Sequence, residues 1–164
     1  MSKEIDIEYY HQLALQKQKE HRKVLANLKK KPPKNLDKIA HQIHQEVFAE
    51  IDCTACANCC KTLGPDFKEA DITRIAKYFK MKLPAFEAEF LQVDEDGDKV
   101  FKSMPCPFLG GDNLCSIYDV RPKACREFPH TDRKKIHQIN HLTIKNTLTC
   151  PAAYLFVEKL KDKL

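Results

Sequence analysis

The sequence predicts a small α+β protein that is mainly α-helical, with one β-hairpin and a loop-rich region that contains most of the cysteines. Apolar residues recur at helical spacing through much of the first ninety positions. Asp96-Gly97 lies between apolar residues, a pattern typical of a hairpin turn. Residues 104–130 hold four of the nine prolines together with Gly110-Gly111, so little regular structure is expected there.

The first element is a predicted helix over residues 5–30, whose middle, QKQKEHRK, is polar on every face. Such a helix is expected on the surface or against a partner. Its apolar stripe comprises Leu13, Val24, Leu25 and Leu28. Pro32 and Pro33 end it, because proline cannot continue a helix. We therefore predict two regions: a basic N-terminal helix with a proline linker over 1–34, and a cysteine-cluster domain over 35–164.

Charge distinguishes these two regions. The segment 1–34 has nine basic and four acidic residues, which accounts for the whole formal net charge of +5. A protein partner could bind this basic helix, whereas no aromatic stacking pattern or groove-reading motif indicates nucleic acid. No apolar run approaches the ~20 residues of a membrane span, and no secretory signal pattern is present. We expect a cytoplasmic protein without membrane contact.

The next two elements are predicted helices. Asn35 is a good N-cap for the first, whose apolar face recurs at helical spacing and leads directly into the first cysteines. Asp66 and Glu69 form a plausible capping box for the second, which is expected to continue through Phe79.

The last elements follow from prolines and the turn. Pro84 is expected to start a shorter helix, and the hairpin is predicted within Val93 to Lys102. Pro151, directly after Cys150, suits the first turn of a closing helix.

The eight cysteines carry the chemistry. Four form the pattern CxxCxxCC, and four singletons follow: Cys53, Cys56, Cys59, Cys60, Cys106, Cys115, Cys125 and Cys150. Two-residue spacing lets thiolates converge on one metal, which predicts that all eight are metal ligands. An even cysteine count also suits disulfides, but a reducing compartment and the adjacent Cys59 and Cys60 favour metal. Metal would then hold the loop-rich region together.

The spacing leaves the metal and the division of ligands open. CxxCxxC holds three corners of a cubane cluster in bacterial ferredoxins, whose remaining ligand often precedes a proline, as Cys106 and Cys150 do here. Zinc needs only four thiolates in one or two sites and is the alternative. Because side chains of successive residues usually diverge, Cys59 and Cys60 are expected to serve different metals or different corners of one cluster. One division joins CxxCxxC to one distant cysteine, and Cys60 to the other three.

Two arginines are candidate cofactor-binding residues. Guanidinium groups of Arg121 and Arg126 would offset the charge of clustered thiolates, unless they pair with nearby carboxylates instead. Tyr118, Phe128 and Phe108 are expected to pack around the site and to exclude water. His41, His44 and His130 are expected to be surface residues rather than ligands, because eight thiols are already available.

CTACANCC, CPFLGGDNLCSIYDVRPKACREFP and the late CP together resemble the CxxCxxCC family of zinc- or iron-chelating proteins, the YkgJ-like cysteine-cluster proteins. The resemblance covers about residues 50–156. It implies binding of zinc or iron, with an iron–sulfur cluster common in the family. A related cysteine region occurs in flagellin lysine N-methylases, which implies protein modification as an alternative activity.

Two classes of function follow. The first is a metal-binding protein that coordinates an iron–sulfur cluster or zinc through its cysteines. The second is a redox or protein-modifying enzyme that uses the cluster. Apart from the thiols, the sequence contains no recognisable nucleophile–base pair and no glycine-rich nucleotide loop, so it identifies no catalytic residue.

Overall fold

The computed structural model describes residues 4–164, so Lys3 of the predicted basic segment lies outside the described residues. Its α-helices in chain order are α1 Ile7–Lys30, α2 Leu36–Glu50, α3 Cys53–Cys56, α4 Asn58–Thr62, α5 Glu69–Tyr78, α6 Leu83–Phe90, α7 Lys123–Glu127, α8 Asn140–Thr147 and α9 Pro151–Asp162. Two short strands, β1 Leu91–Val93 and β2 Lys99–Phe101, pair antiparallel. Single 3-10 turns lie at Tyr118–Val120 and Ile136–Ile139. The predicted fold class is confirmed.

The chain forms two compact units. Unit 1 contains the residues up to Cys56 together with Pro129–Leu164, and unit 2 is the continuous segment Ala57–Phe128. Helix α1 belongs to unit 1 together with α2, α8 and α9. The predicted domain boundary at residue 34 stays a prediction.

Unit 1 is a packed set of helices around one apolar core. Helices α1, α2 and α8 each contact α9. The core side chains recur three or four residues apart along each helix: Leu25, Leu28, Leu36, Ala40, Ile43, Val47, Ile144, Phe156, Val157 and Leu160. Burying each large side chain stabilises the fold by about 1.5–3 kcal/mol. Val24, Leu25 and Leu28 of the stripe predicted for α1 therefore pack inside the unit, whereas Leu13 is half-buried outside this core.

The polar middle of α1 contains one buried group. His21 is fully buried, and its Nε2 lies 2.6 Å from a carboxylate oxygen of Glu158 on α9. The ring also lies against Tyr154, with centroids 5.6 Å apart. A histidine in a sequence that reads as polar on every face thus joins α1 to α9.

Unit 2 has shorter elements around an aromatic core. Phe108 stacks on Phe79 with centroids 5.2 Å apart, and it also contacts Phe90 and Phe101. Helix α5 adds Ile72 and Ile75, and α6 adds Phe86, which are all fully buried. Cys106 and Cys115 pack against this core. Core packing therefore supports part of the cysteine region directly.

The hairpin confirms the Asp96-Gly97 prediction. Leu91 faces Phe101 and Val93 faces Lys99, with Gly97 in the turn at φ +83°, where glycine is favoured. Asp94 accepts hydrogen bonds from the backbone N–H groups of Asp96 and Asp98.

Two local predictions need correction. Helix α5 begins at Glu69, not after Asp66, and the carboxylate of Asp71 accepts the backbone N–H of Lys68 at 3.1 Å. The predicted capping box is wrong because the residue at the N3 position is Asp71. Asn35 precedes α2 as expected, but its side chain makes no capping hydrogen bond. Helix α8 was not predicted. Across residues 4–164, no helix is long and apolar enough to cross a membrane.

Candidate metal centre

The CxxCxxCC motif forms two short helices with a sharp bend between them. Helix α3 runs from Cys53 to Cys56, and α4 begins at Asn58, after the single residue Ala57. The bend is at Ala57, whose φ of 49° is left-handed and rarely adopted outside glycine. Asp52 precedes α3 and accepts hydrogen bonds from the N–H and hydroxyl of Thr54. The bend therefore interrupts the helix inside the motif.

Unit 1 contains three of the thiols. Cys150 precedes Pro151 at the start of α9, and its N–H donates to the carbonyl of Asn146 at 2.8 Å. Its pKa is raised to about 12, first by burial and also by the charges of Cys53 and Cys56. Those charge interactions place Cys53, Cys56 and Cys150 in one neighbourhood.

The N-terminal end of a helix favours a negative charge, which at Cys150 would promote the thiolate. Backbone N–H groups of Ala152 and Ala153 do bond the sulfur and lower its pKa, but burial outweighs them. In the absence of a bound cation, Cys150 is therefore a neutral thiol at neutral pH.

Unit 2 contains the other five thiols, at Cys59, Cys60, Cys106, Cys115 and Cys125. The N–H of Cys106 donates to the carbonyl of Cys60 at 2.8 Å, which ties the motif to the loop-rich segment. A single bridge pairs Leu109 with Cys115. The charge of Cys60 raises the pKa of Cys106, Cys115 and Cys125 alike. Cys60 is thus the motif cysteine whose charge acts on all three distant cysteines of unit 2.

The side chains of Cys59 and Cys60 do not diverge as expected. The Cys59 thiol is hydrogen-bonded to the Cys60 sulfur, and this bond lowers the pKa of Cys60 to about 7, against burial and with help from Lys61. Adjacent residues at the start of a helix can bring two sulfurs together. Cys60 is consequently the thiol most easily converted to a thiolate in its group.

Burial and neighbouring charge raise, rather than lower, the pKa of the other three thiols. Burial is the main cause that raises the pKa of Cys106, Cys115 and Cys125, followed for Cys125 by the charges of the other three cysteines. Because part of Cys125 is exposed, water reduces its shift below the value that full burial would give. A cation placed among these sulfurs would reverse the repulsion between them.

Arg121 lies within electrostatic reach of the unit 2 thiols. Its charge lowers the pKa of Cys115 and Cys125, although burial dominates both. The guanidinium lies 3.8 Å above the Tyr118 ring and donates to the Tyr118 carbonyl at 2.6 Å. Tyr118 is 60% exposed, so the prediction that it excludes water is wrong. Arg126 is exposed on α7, and its role as a cofactor-binding residue stays a prediction.

The histidines lie among other partners. Nδ1 of His41 is 2.8 Å from Asp132, and Nδ1 of His44 is 2.8 Å from the hydroxyl of buried Thr131. His130 has a left-handed φ of 64°. His41 is exposed as expected, whereas His44 is partly buried. His41 and His44 therefore bond partners other than the thiols.

Thiolates are soft ligands that suit zinc, iron–sulfur clusters and copper(I) rather than calcium or magnesium. All eight cysteines belong to the described part of the chain, and none forms a disulfide. Within residues 4–164, no three Cys, His, Asp or Glu side chains are close enough together to hold one ion. The chemistry of the donors fits zinc or iron.

Sequence reasoning missed two residues near this centre. Asp71 is almost fully buried on α5, and it accepts the backbone N–H of Lys123, the first residue of the helix that carries Cys125. Arg74 bonds Asp71 and the preceding loop. The detectable signal was a charged residue next to Ile72, on the apolar face of a predicted helix.

A family model described as CxxCxxCC, putative zinc- or iron-chelating domain, matches residues 52–151. The chain belongs to the CxxCxxCC family. The match contains all eight cysteines, whereas α1 and α2 precede it. No curated protein and no solved structure matches the chain significantly. The CxxCxxCC domain thus spans all of unit 2 and the three thiols of unit 1.

Proposed function

We propose that this CxxCxxCC protein binds iron or zinc through two groups of thiols. One centre uses Cys60, Cys106, Cys115 and Cys125 in unit 2. The other uses Cys53, Cys56 and Cys150 in unit 1. The observation that carries this proposal is the backbone hydrogen bond from Cys106 to the carbonyl of Cys60, which joins the motif to the distant cysteines of unit 2. The direction in which the thiols of each group shift one another's pKa supports the same division. Cys59, bonded to Cys60, is a further ligand available to the first centre.

An iron–sulfur cluster is our first candidate for the metal, and zinc is the second. The CxxCxxC spacing and the Cys–Pro pairs at Cys106 and Cys150 favour the cluster. Zinc would draw four thiolates to about 2.3 Å from one ion.

A bound metal would supply structural constraint and, as a cluster, electron-transfer chemistry. The residues of this chain would hold it: thiolates as ligands, and Arg121 as a positive charge near Cys115 and Cys125. The reduced cysteines favour a reducing compartment such as the cytoplasm. We propose a metal-binding module that acts through a protein partner, and the exposed basic side of α1 is the surface we assign to that partner.

The first experiment identifies the metal. The protein is purified without oxygen, and iron, zinc and acid-labile sulfide are measured per chain together with the visible spectrum. Equal iron and sulfide in a brown protein supports the cluster, and colourless protein with one or two zinc ions supports zinc. Protein that contains neither metal, and that takes up neither on reconstitution, contradicts the proposal.

The second experiment tests the division between units. Cys60→Ser should abolish metal at the unit 2 centre and leave the unit 1 centre, and Cys53→Ser should do the reverse. Each variant is the control for the other, because both remove one sulfur with little change in volume. Loss of all bound metal in each single variant, with the fold retained, would contradict two separate centres.

A further inference from the structure

Helix α5 holds the segment between Cys115 and Cys125 through one acidic and one basic side chain. Asp71 and Arg74 lie three residues apart on this helix and bond each other, with 2.8 Å between Nη2 and Oδ1. The Asp71 side chain is only 3% exposed. Neither residue contains sulfur, and neither is one of the proposed metal ligands.

Arg74 binds the backbone just before α7. Its Nε donates to the carbonyl of Val120 at 3.2 Å, and its Nη2 donates to the carbonyl of Arg121 at 2.8 Å. A planar guanidinium can satisfy these carbonyls and Asp71 together because its donors diverge in fixed directions. Lysine has no such geometry.

Asp71 binds the start of α7 itself. Its Oδ1 accepts the N–H of Lys123 at 3.1 Å, and its Oδ2 accepts the N–H of Lys68 at 3.1 Å. The first N–H groups of a helix have no partner within it, so a carboxylate there satisfies a donor that α7 leaves open. Burial opposes the charge of Asp71, but these bonds and Arg74 outweigh it and keep its pKa below the ordinary value.

The segment held in this way carries the groups that matter to the centre. Arg121 lies at its beginning and Cys125 follows Lys123 by two residues. The other side of α5 is anchored by Ile72 and Ile75 in the aromatic core, against which Cys106 and Cys115 pack. Asp71 and Arg74 therefore join Cys125 to the same core that supports two of its partner thiols.

We propose that Asp71 and Arg74 are positioning residues for the unit 2 centre, which set its metal affinity by fixing Cys125 and Arg121 relative to α5. The proposal rests on the proposed function, because it presumes that those thiols bind metal. Groups that orient metal ligands typically change affinity 10–100-fold when they are altered. Asp71 is not a proposed ligand. It would act on the centre through the backbone N–H of Lys123.

The test is a Co²⁺ titration of metal-free, full-length protein, followed by displacement with Zn²⁺. The sulfur-to-cobalt absorption band reports how many thiolates bind. We expect Arg74→Lys and Asp71→Asn to weaken binding at the unit 2 centre by about 10–100-fold. We also expect the band to lose the intensity of one thiolate, that of Cys125. Far-UV circular dichroism and urea unfolding of the metal-free protein check the fold.

Asp37→Asn is the matched control. Asp37 also accepts two backbone N–H groups, those of Lys135 and Ile136, at 2.7 and 3.2 Å. The loop it holds lies in unit 1, and no cysteine is within nine residues of it. This variant should retain wild-type cobalt affinity and band intensity.

The outcomes separate the two proposals. Wild-type protein that binds no Co²⁺ through thiols contradicts the proposed function. Wild-type binding with unchanged affinity in Arg74→Lys contradicts the positioning role, as does an equal loss in Asp37→Asn. If Asp71→Asn fails to fold, Arg74→Lys decides alone, since it retains a positive charge beside Asp71. Weaker binding in Arg74→Lys with a normal fold and an unaffected control supports the role.

Discussion

The two units of this protein are built differently. Unit 1 contains helices of 24, 15 and 12 residues around one aliphatic core. The longest helix of unit 2 has ten residues, and its chain from Lys102 to Phe128 is mostly loop and turn. Apolar burial scales with the area that long helices cover, so unit 1 can be stable without metal. Unit 2 has more thiols and less core.

Metal removal should produce the largest difference in stability between the two units. A chelator that strips the proposed centres should speed amide exchange at Cys106 and Ser116 in unit 2 by at least ~100-fold, because structural metals contribute about 10 kcal/mol in small domains. Amides in the middle of α9 should change far less, because the core of unit 1 remains. Hydrogen exchange read by mass spectrometry measures both. Equal deprotection of the two units would show that unit 1 depends on metal as much as unit 2.

Removing one aromatic side chain from each core is expected to have the next largest effect. Phe156→Ala in unit 1 and Phe86→Ala in unit 2 both truncate a side chain exposed by 1% or less. Each should lower the stability of its own unit by about 3–5 kcal/mol. Exchange of amides in α2 and α5 of the metal-free protein reports the two units separately. A loss of similar size in the other unit would mean that the cores unfold together.

Acid should weaken unit 1 through Glu158. Burial raises the pKa of this carboxyl, but hydrogen bonds from His21 and Lys161 outweigh burial, so its folded pKa is below the ordinary value. Its stabilising effect is therefore complete above the unfolded value near 4 and is lost as pH falls through the lower folded value. Between pH 6 and 3, the wild-type protein should lose on the order of 1 kcal/mol of unfolding free energy through Glu158, and Glu158→Gln should not show this loss. Urea unfolding at each pH measures the difference. An unchanged pH profile in this variant would exclude Glu158 as the cause.

The smallest expected effect is at two left-handed lysines, one in each unit. Lys80, at φ 55°, follows α5, where its N–H bonds Lys77 and the N–H of Met81 bonds Ala76, the pattern of a glycine-terminated helix. Lys135 in unit 1 has φ 54°. Lys80→Gly and Lys135→Gly should each stabilise the metal-free protein by about 0.5–1 kcal/mol, because glycine adopts this conformation without strain. Thermal unfolding measures the gain, and Lys77→Gly, inside α5, should destabilise instead.

Sequence patterns predicted the elements whose signal is local. Helical periodicity gave α1 and α2, Pro151 gave the start of α9, and Asp96-Gly97 gave the hairpin. Helix α8 was missed because its sequence, NHLTIKNT, has no clear apolar stripe, although Ile144 is buried. Its buried Asn146 bonds the carbonyl of Pro129 outside the helix, whereas Thr143 and Thr147 bond carbonyls one turn earlier.

The candidate site was predicted by residue type and not by arrangement. Cysteine spacing indicated metal ligation, but it could not assign Cys150 to Cys53 and Cys56, since that neighbourhood depends on how α9 packs in unit 1. It also suggested that Cys59 and Cys60 diverge, and their hydrogen bond contradicts this. Asp71 and Arg74 were missed because their partners are backbone groups about fifty residues away, which no local pattern encodes.

The interrupted course of unit 1 matters while the chain is being synthesised. All of unit 2 has been translated once Phe128 is added, whereas unit 1 still lacks the helix that bears Phe156, Val157 and Leu160. At about 5–20 residues per second, the ribosome needs roughly 2–7 s more to add that remainder. The five thiols of Ala57–Phe128 therefore leave the ribosome before Cys150 does. Loading of the two centres would follow the order in which the ribosome releases them.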